Sequence, residues 1–348
     1  MNPPPVRYLV LWLTTACNLR CRYCYRKSDL PAVMTRDVVQ AALSLAAAAG
    51  RSFHVQLAGG EPTLEPGLIE FVGRTVREAR WPATLAVQTN GTLVDRHLVE
   101  LCRRYDVGIG VSLDGPPDVQ EELRGMGGAS FRGLALLEAL GMPVRVTTVL
   151  SSVNVERLYD LALSLARFTN IRGIGLDPLV MTGRAEGEPH LHPSAEALRS
   201  GVGELLKALE YMKYTYSVPI IWREREAVRR ALSEKGSARP YCHACCGESM
   251  AVHPDGRVYP CGQAIGDPDM AAGTVDAVDW TRLRTCYQGF ELNGDCSSCP
   301  LEGRCPGECP SRLRYNNGVV PPAMCTVYRT IAENLTVKCA ERSMPWAG

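Results

Sequence analysis

The sequence predicts an α/β fold in which six strands and five crossover helices build a parallel sheet, followed by a cysteine-rich segment of different character. Two observations carry this. From residue 7 to about 177, short β-branched apolar runs alternate with longer amphipathic ones, the pattern of βα units. Beyond residue 241 the composition changes sharply: eleven of the fifteen cysteines lie from Cys242 to Cys339, among many Gly and Pro. The strands are read at 7–13 (RYLVLWL), 53–58 (FHVQLA), 84–88 (TLAVQ), 108–113 (GIGVSL), 144–150 (VRVTTVL) and 172–176 (RGIGL). Helices fall between them at about 35–49, with Thr35 as N-cap, then 66–80, 94–104, 130–140, and 154–168 with Asn154 as N-cap. A doubly wound sheet and a partial barrel both satisfy this pattern, and in both the ligands sit at the carboxyl ends of the strands. The unusual residues cluster there. Residues 178–241 are helical and polar and read as a bridge, and the segment 242–348 has too few apolar runs for a core of its own, so metal is expected to organise it.

The totals bound the function. A chain of 348 residues can bury a sizeable core, and 38 basic against 37 acidic residues give no global reason to expect nucleic acid or a charged membrane surface as partner. The N-terminal apolar run ends at Thr14 and Thr15 without a small-residue cleavage site, and no later run approaches the roughly 18 apolar residues of a membrane span. A cytoplasmic location is expected. Cysteines in such a chain read as metal ligands rather than disulfides.

The loop after the first strand, ACNLRCRYCYR, carries Cys17, Cys21 and Cys24 with no fourth thiol and no His nearby. Structural zinc wants four ligands in a closed tetrahedron. A 4Fe-4S cluster held by three thiolates leaves one iron open for a substrate. The rival readings are a zinc site completed from afar and three unligated cysteines, and the spacing decides against both.

Cx3Cx2C after the first strand, with the aromatic Tyr23 before the last Cys, resembles the radical S-adenosylmethionine (radical SAM) superfamily. The resemblance covers residues 7–177 and implies a partial (β/α)6 TIM-like barrel. It also implies a cluster whose open iron chelates the amino and carboxylate groups of SAM, and reductive cleavage of SAM to a 5'-deoxyadenosyl radical that abstracts hydrogen from an unactivated carbon. At matching positions, GGEP (Gly59, Gly60, Glu61, Pro62) resembles the family's methionine-binding motif, with Glu61 expected to accept from the ammonium. VSLDGP (Ser112, Asp114), with Arg124 twelve residues after Ser112, resembles a segment that contacts SAM, and Gln88, Thr89, Asn90 and Leu176 occupy similar places.

The later cysteines resemble a SPASM domain, the accessory module of radical SAM enzymes that modify peptides and proteins. Nine residues separate Cys246 from Gly256 and four separate Gly256 from Cys261; Cys296-x2-Cys299-x5-Cys305-x3-Cys309 follows, then Cys325. The resemblance implies two auxiliary 4Fe-4S clusters, one on Cys242, Cys246, Cys261 and Cys309, the other on Cys296, Cys299, Cys305 and Cys325. Cys245, adjacent to Cys246, leaves open which of the two is the ligand. Zinc on Cys296, Cys299, Cys305 and Cys309 is the competing reading. Cys102, Cys286 and Cys339 read as buried apolar residues.

These features together imply SAM consumption coupled to oxidation of a ribosomally made peptide or protein: a thioether or carbon-carbon crosslink, or an oxidised side chain. A low-potential donor such as flavodoxin or ferredoxin would supply electrons. Gly262 stands where sulfatase-maturating relatives carry an Asp proposed as base, which points away from that reaction. The first strand begins near residue 7, so a separate protein or the barrel rim is expected to recognise any leader peptide. Tyr25 and Arg26, just past the cluster loop, read as lining the entrance, with a packing role for Tyr25 the equal alternative. Maturation of a small haem, quinone or tungsten-cofactor precursor is the second enzymatic reading, and a zinc-binding adaptor the non-enzymatic one.

Overall fold

The computed structural model describes residues 5–26, 30–215, 220–233, 240–289, 296–316 and 323–343, the last seven as backbone only. The side chain of Cys339 thus lies outside the described residues.

The six expected strands form as β1 (Tyr8–Thr14), β2 (Phe53–Gly59), β3 (Ala83–Thr89), β4 (Val107–Ser112), β5 (Val144–Leu150) and β6 (Ile171–Pro178). They pair in parallel and in chain order, each with the next. An order without reversal has no topological switch point and winds every crossover the same way. It is the order of a partial (β/α)6 barrel, and it removes the doubly wound alternative.

Strand parity explains the layers, because successive side chains point to opposite faces. Leu9, Leu11, Leu13, Val55, Leu57, Leu85, Val87, Ile109, Val111 and Val146 join the main core beneath the helices. The other parity is only partly covered on β2 to β5 and lines the lumen: His54, Gln56, Gln88, Gly110, Ser112, Thr147 and Val149. On β1 it carries Tyr8, Val10 and Trp12, which belong to a second apolar cluster.

The crossovers are α1 (Arg36–Ala47), α2 (Pro66–Glu78), α3 (Arg96–Tyr105), α4 (Pro117–Arg124), α5 (Gly127–Ala139) and α6 (Leu158–Leu165). Thr35 caps α1 as expected, accepting from Val38 N–H at 3.3 Å. Asn154 does not cap a helix: a 3-10 turn over Val155–Arg157 precedes α6, and the Asn154 amide instead donates to the carbonyls of Asp114 (2.9 Å) and Val149 (2.8 Å). The separate helix α4 was not expected, because its eight residues leave little room for a periodic signal.

The chain continues through α7 (Ala195–Thr215), β7 (Ile221–Trp222) and α8 (Arg223–Ser233). It then returns to the start of the sheet: β8 (Ser249–Val252) pairs in parallel with β1, Tyr8 opposite Ser249, and β9 (Val258–Tyr259) pairs antiparallel with β8. The result is a nine-stranded, mostly parallel sheet. After α9 (Trp280–Thr285) and α10 (Pro310–Tyr315), the final helix α11 (Ala323–Ser343) packs on α7 and α8. The cysteine-rich region therefore borrows the barrel's core: Met250, Val252, Met324, Val327 and Ile331 all bury into it. Among the described residues, no helix is long and apolar enough to cross a membrane.

Leu11 lies fully buried at the middle of β1, between β2 and β8. Leu11→Ala is expected to lower unfolding free energy by about 2–5 kcal/mol, the range for a truncated core leucine, measured by anaerobic denaturant titration.

Candidate active site at the carboxyl ends of the strands

The cysteine loop leaves β1 and is held by backbone contact. Gly60 N–H donates to the Thr14 carbonyl and Glu61 N–H to the Ala16 carbonyl, both at 2.8 Å. Gly59 has φ of +134°, and a Cβ on Gly60 would stand 2.0 Å from the Ala16 carbonyl oxygen. Only glycines let the second loop lie this close to the first.

Glu61 is buried, and its carboxylate accepts from residues of two loops. Oε1 accepts from Thr63 N–H (3.1 Å), Thr63 hydroxyl (2.6 Å) and Thr89 hydroxyl (2.7 Å), and Oε2 accepts from Asn90 N–H (2.8 Å). Three of the four donors fall on Oε1 and one on Oε2, so Oε2 keeps acceptor capacity. Glu61 fixes the loop, with Pro62 starting the 3-10 turn Pro62–Leu64.

Asn90 extends the tie. Its amide donates to Asn18 Oδ1 at 2.9 Å, inside the cysteine loop, and Asn18 donates to the Thr92 hydroxyl at 2.8 Å. Gln88 donates to the Ser112 hydroxyl at 2.8 Å across the lumen face.

Tyr23, Asp114 and Arg124 form one buried assembly. Arg124 holds Asp114 through Nε (2.7 Å) and Nη2 (3.1 Å), and its guanidinium stands 5.3 Å from the centre of the Tyr23 ring. Tyr23 hydroxyl donates to Asp114, and Val149 N–H donates to Asp114 Oδ1 at 2.9 Å. Burial opposes the charge on Arg124, but Asp114 and its other neighbours outweigh it and keep the guanidinium charged. Burial pushes the Cys21 thiol up to about 11, while Arg124 draws it down and Cys24 raises it. Burial likewise raises Cys17, against a hydrogen bond from Leu19 N–H. The three thiols thus sit on one partly buried loop with a fixed cation beside them.

Residues beyond β6 close the loop from behind. Arg184 N–H donates to the Cys24 carbonyl (2.9 Å) and its guanidinium to the Cys21 carbonyl (3.0 Å). Asn18, Thr92, Gly183 and Arg184 escaped sequence reasoning, since each is an ordinary loop residue until the loops are brought together. Leu176 does not join this group. On β6 the lumen parity belongs to Gly173, Gly175 and Asp177, whereas Leu176 is fully buried in the main core. Its backbone is taken by Glu224 (3.1 Å) and Arg223 (2.9 Å).

Tyr25 is partly buried and packs against the second apolar cluster, with its ring 6.3 Å from Trp12, as its packing reading expects. Burial raises its phenol, helped by Cys24 on one side and Cys261 on the other. A Cβ on Gly262 would face Val10, Trp12 Nε1 and the Tyr25 hydroxyl at 3.6 to 4.0 Å. Tyr25 therefore stands between the first cysteine loop and the second cysteine field. Burial pushes the Asp177 carboxyl up, but Arg223 at 2.9 Å and Arg312 outweigh it and hold it below the usual carboxylate range.

The second field divides in two. Cys309 bears on Cys242 and is itself touched by Cys261: the hydrogen bond with Cys245 raises Cys242 most, with burial and Cys309 adding, and burial pushes Cys309 up to about 11 against Arg312, with Cys261 adding to the rise. Cys261 Sγ lies 3.0 Å from Tyr287 hydroxyl and 3.1 Å from Ser311 hydroxyl. Burial raises Cys325 to about 12, with Cys305, Glu308 and Cys296 adding in that order, and Cys305 is raised by burial and by Cys299 and Cys296. Cys261 is the cysteine that bears on Cys309, whereas Cys296 and Cys299 bear on Cys305. Cys102 is buried in the main core and Cys286 is partly covered against the second cluster. Among the described residues, no three His, Cys, Asp or Glu side chains converge as ligands of a single metal ion.

Residues 13–165 match the Radical SAM superfamily, and the chain carries a radical SAM domain. It is 26% identical over 349 residues to the serine-type anaerobic sulfatase-maturating enzyme of Klebsiella aerogenes, covering 90% of this chain and 81% of that one. The fold is that of native anSMEcpe with bound AdoMet and Cp18Cys peptide, at TM-score 0.79 and 17% identity, over 97% of this chain and 99% of that one. Streptococcus suis SuiB bound to precursor peptide SuiA superposes at TM-score 0.63 and 17% identity, over 88% and 72% of the two chains.

Breaking a buried ion pair by removing one partner leaves an uncompensated charge, which costs about 3–5 kcal/mol. Asp114→Ala is expected to lose stability in this range, with Arg124→Met losing less because it removes the cation itself; anaerobic denaturant titration of both variants checks the order.

Proposed function

We propose that this chain cleaves SAM reductively at Cys17, Cys21 and Cys24 and uses the resulting radical to oxidise a ribosomally made peptide or protein. The observation that carries the reading is the placing of three thiols on one clamped loop at the lumen's mouth, with Tyr25 linking them to Cys261. Such a donor set suits a 4Fe-4S cluster with one iron left open, which when bound supplies the electron for SAM cleavage. The chain's own residues do the positioning. Glu61, Asn90 and Asn18 fix the loop; Arg124 places a permanent cation beside Cys21; Gln88 and Ser112 offer polar groups on the lumen wall.

The two groups of later cysteines support two further clusters, on Cys242, Cys261 and Cys309 with one neighbour, and on Cys296, Cys299, Cys305 and Cys325. Closed by four thiolates each, they suit electron transfer, and the first lies beside Gly262 and Tyr25, where a substrate radical's electron would leave. The names of the matched structures, which include a bound peptide and a bound precursor peptide, favour a peptide substrate. Sulfatase maturation is not part of the proposal. Gly262 offers no proton acceptor, and its surroundings are Val10, Trp12 and Tyr25. Asp177 is the carboxylate on the lumen parity of β6, and its pairing with Arg223 suits holding a substrate donor group. A low-potential electron donor completes the scheme, and a separate leader-binding protein is compatible with it.

Replacing Cys17, Cys21 and Cys24 together with Ala is expected to abolish 5'-deoxyadenosine formation while about eight of about twelve irons per chain remain, by the four-iron count of each cluster. Chromatography of the nucleoside products and iron analysis check this; continued SAM cleavage in the triple variant overturns the assignment. With the peptide substrate, SAM is expected to be consumed. SAM regenerated at each turnover, or a methyl group transferred, overturns the oxidative reading.

A further inference from the structure

We infer that Cys245, not Cys246, is the fourth ligand of the auxiliary cluster on Cys242, Cys261 and Cys309. The inference rests on the proposed reading of these cysteines as iron-sulfur ligands, and it departs from the spacing, which put Cys246 in that place.

The argument is geometric. Cys242 precedes a 3-10 turn over His243–Cys246 and forms its N-cap. A 3-10 helix has three residues per turn, so side chains three apart eclipse one another, and the next residue is turned by about 120°. Cys242 and Cys245 are three apart; Cys246 is the next residue. In the structure Cys242 Sγ and Cys245 Sγ lie 3.8 Å apart, and Cys245 N–H donates to the Cys242 carbonyl at 3.2 Å. Two thiols on one side of a turn can face the same cluster; since each iron takes one thiolate, they would part from 3.8 Å by side-chain rotation. Cys245 and Cys246 are both exposed, but it is Cys246 that has the Glu248 carboxylate as a charged neighbour. An anionic cluster gains nothing from a ligand beside that carboxylate.

Cys246 is also held where it is. The following Gly247 is left-handed, with φ of 66°, and a Cβ there would meet Arg284 Cγ at 2.4 Å. Glu248 N–H donates back to the His243 carbonyl at 2.9 Å. The Glu248 carbonyl in turn accepts from Arg7 N–H (2.7 Å) and Tyr8 N–H (3.2 Å) at the start of β1. Swinging Cys246 towards Cys242 would unwind the turn and pull β8 out of register with β1. Cys245 needs only side-chain rotation, with the turn left as it is.

The test uses the anaerobically purified full chain. Iron and sulfide are counted in wild type, Cys245→Ala and Cys246→Ala, and iodoacetamide alkylation of the native wild type is mapped by mass spectrometry. Cys246→Ala is expected to keep the wild-type count of about twelve irons, and Cys245→Ala to lose about a third. Cys246 is expected to alkylate in the native protein, and Cys245 only after chelation of the iron. Iron lost from Cys246→Ala, full iron kept by Cys245→Ala, or Cys246 protected while Cys245 reacts overturns the assignment. A wild-type count near four instead defeats the auxiliary-cluster reading, and the ligand assignment falls with it.

Discussion

The site depends on the contact between two loops at the level of the backbone. Gly59 and Gly60 let the chain after β2 lie against Thr14 and Ala16, immediately before Cys17. No side chain could mediate so short a distance, and none is needed, because two N–H groups donate directly to carbonyls of the first loop. Glu61 then converts this contact into a three-loop junction by accepting from the segment after β3 as well. A loop carrying three cysteines would otherwise be held by few apolar contacts. Here its position is set from the sheet outward, by groups that must be paired once buried.

The same logic governs the cation beside the cysteines. Arg124 is costly to bury, and Asp114 receives it with two hydrogen bonds while Tyr23 packs over it. Asp114 is itself fixed from β5 by Val149, and Asn154 braces its carbonyl. Asp114 thus keeps a positive charge near Cys21 without offering it to solvent. The lumen pair Asp177 and Arg223 is different: it remains partly exposed on the face open to a substrate.

Much of the barrel was legible in the sequence because parity and period are local properties. The six strands are found within a residue or two of where alternation places them, and the Cx3Cx2C loop, GGEP and the later cysteines stand at strand ends or in the altered C-terminal segment. What escaped depended on the third dimension. Leu176 shares parity with Ile174 and not with the lumen glycines, a distinction present in the text RGIGLD but needing knowledge of which face is inside. The part Glu61 plays in holding the loops did not show, because its four donors come from residues that are distant or unremarkable in sequence. Asn154 resembled a helix cap because a cap and a loop brace use the same side chain. The choice between Cys245 and Cys246 turns on one third of a helical turn, which spacing between motifs does not register.

The pairing of β8 with β1 bears on how the chain reaches this state. Until residues 249–252 emerge, β1 is an open edge, apolar on both faces, with only β2 beside it. At about 5–20 residues per second, a ribosome leaves that edge bare for on the order of ten to fifty seconds after β1 is made. Exposed edges of this kind recruit other strands. Contacts so distant in sequence also form slowly, since loop-closure entropy is lost before they stabilise anything. The strand that leads into the first cysteine loop is therefore among the last to gain both neighbours, and the vulnerable period of this protein's synthesis falls on the element that its chemistry most requires to be in place.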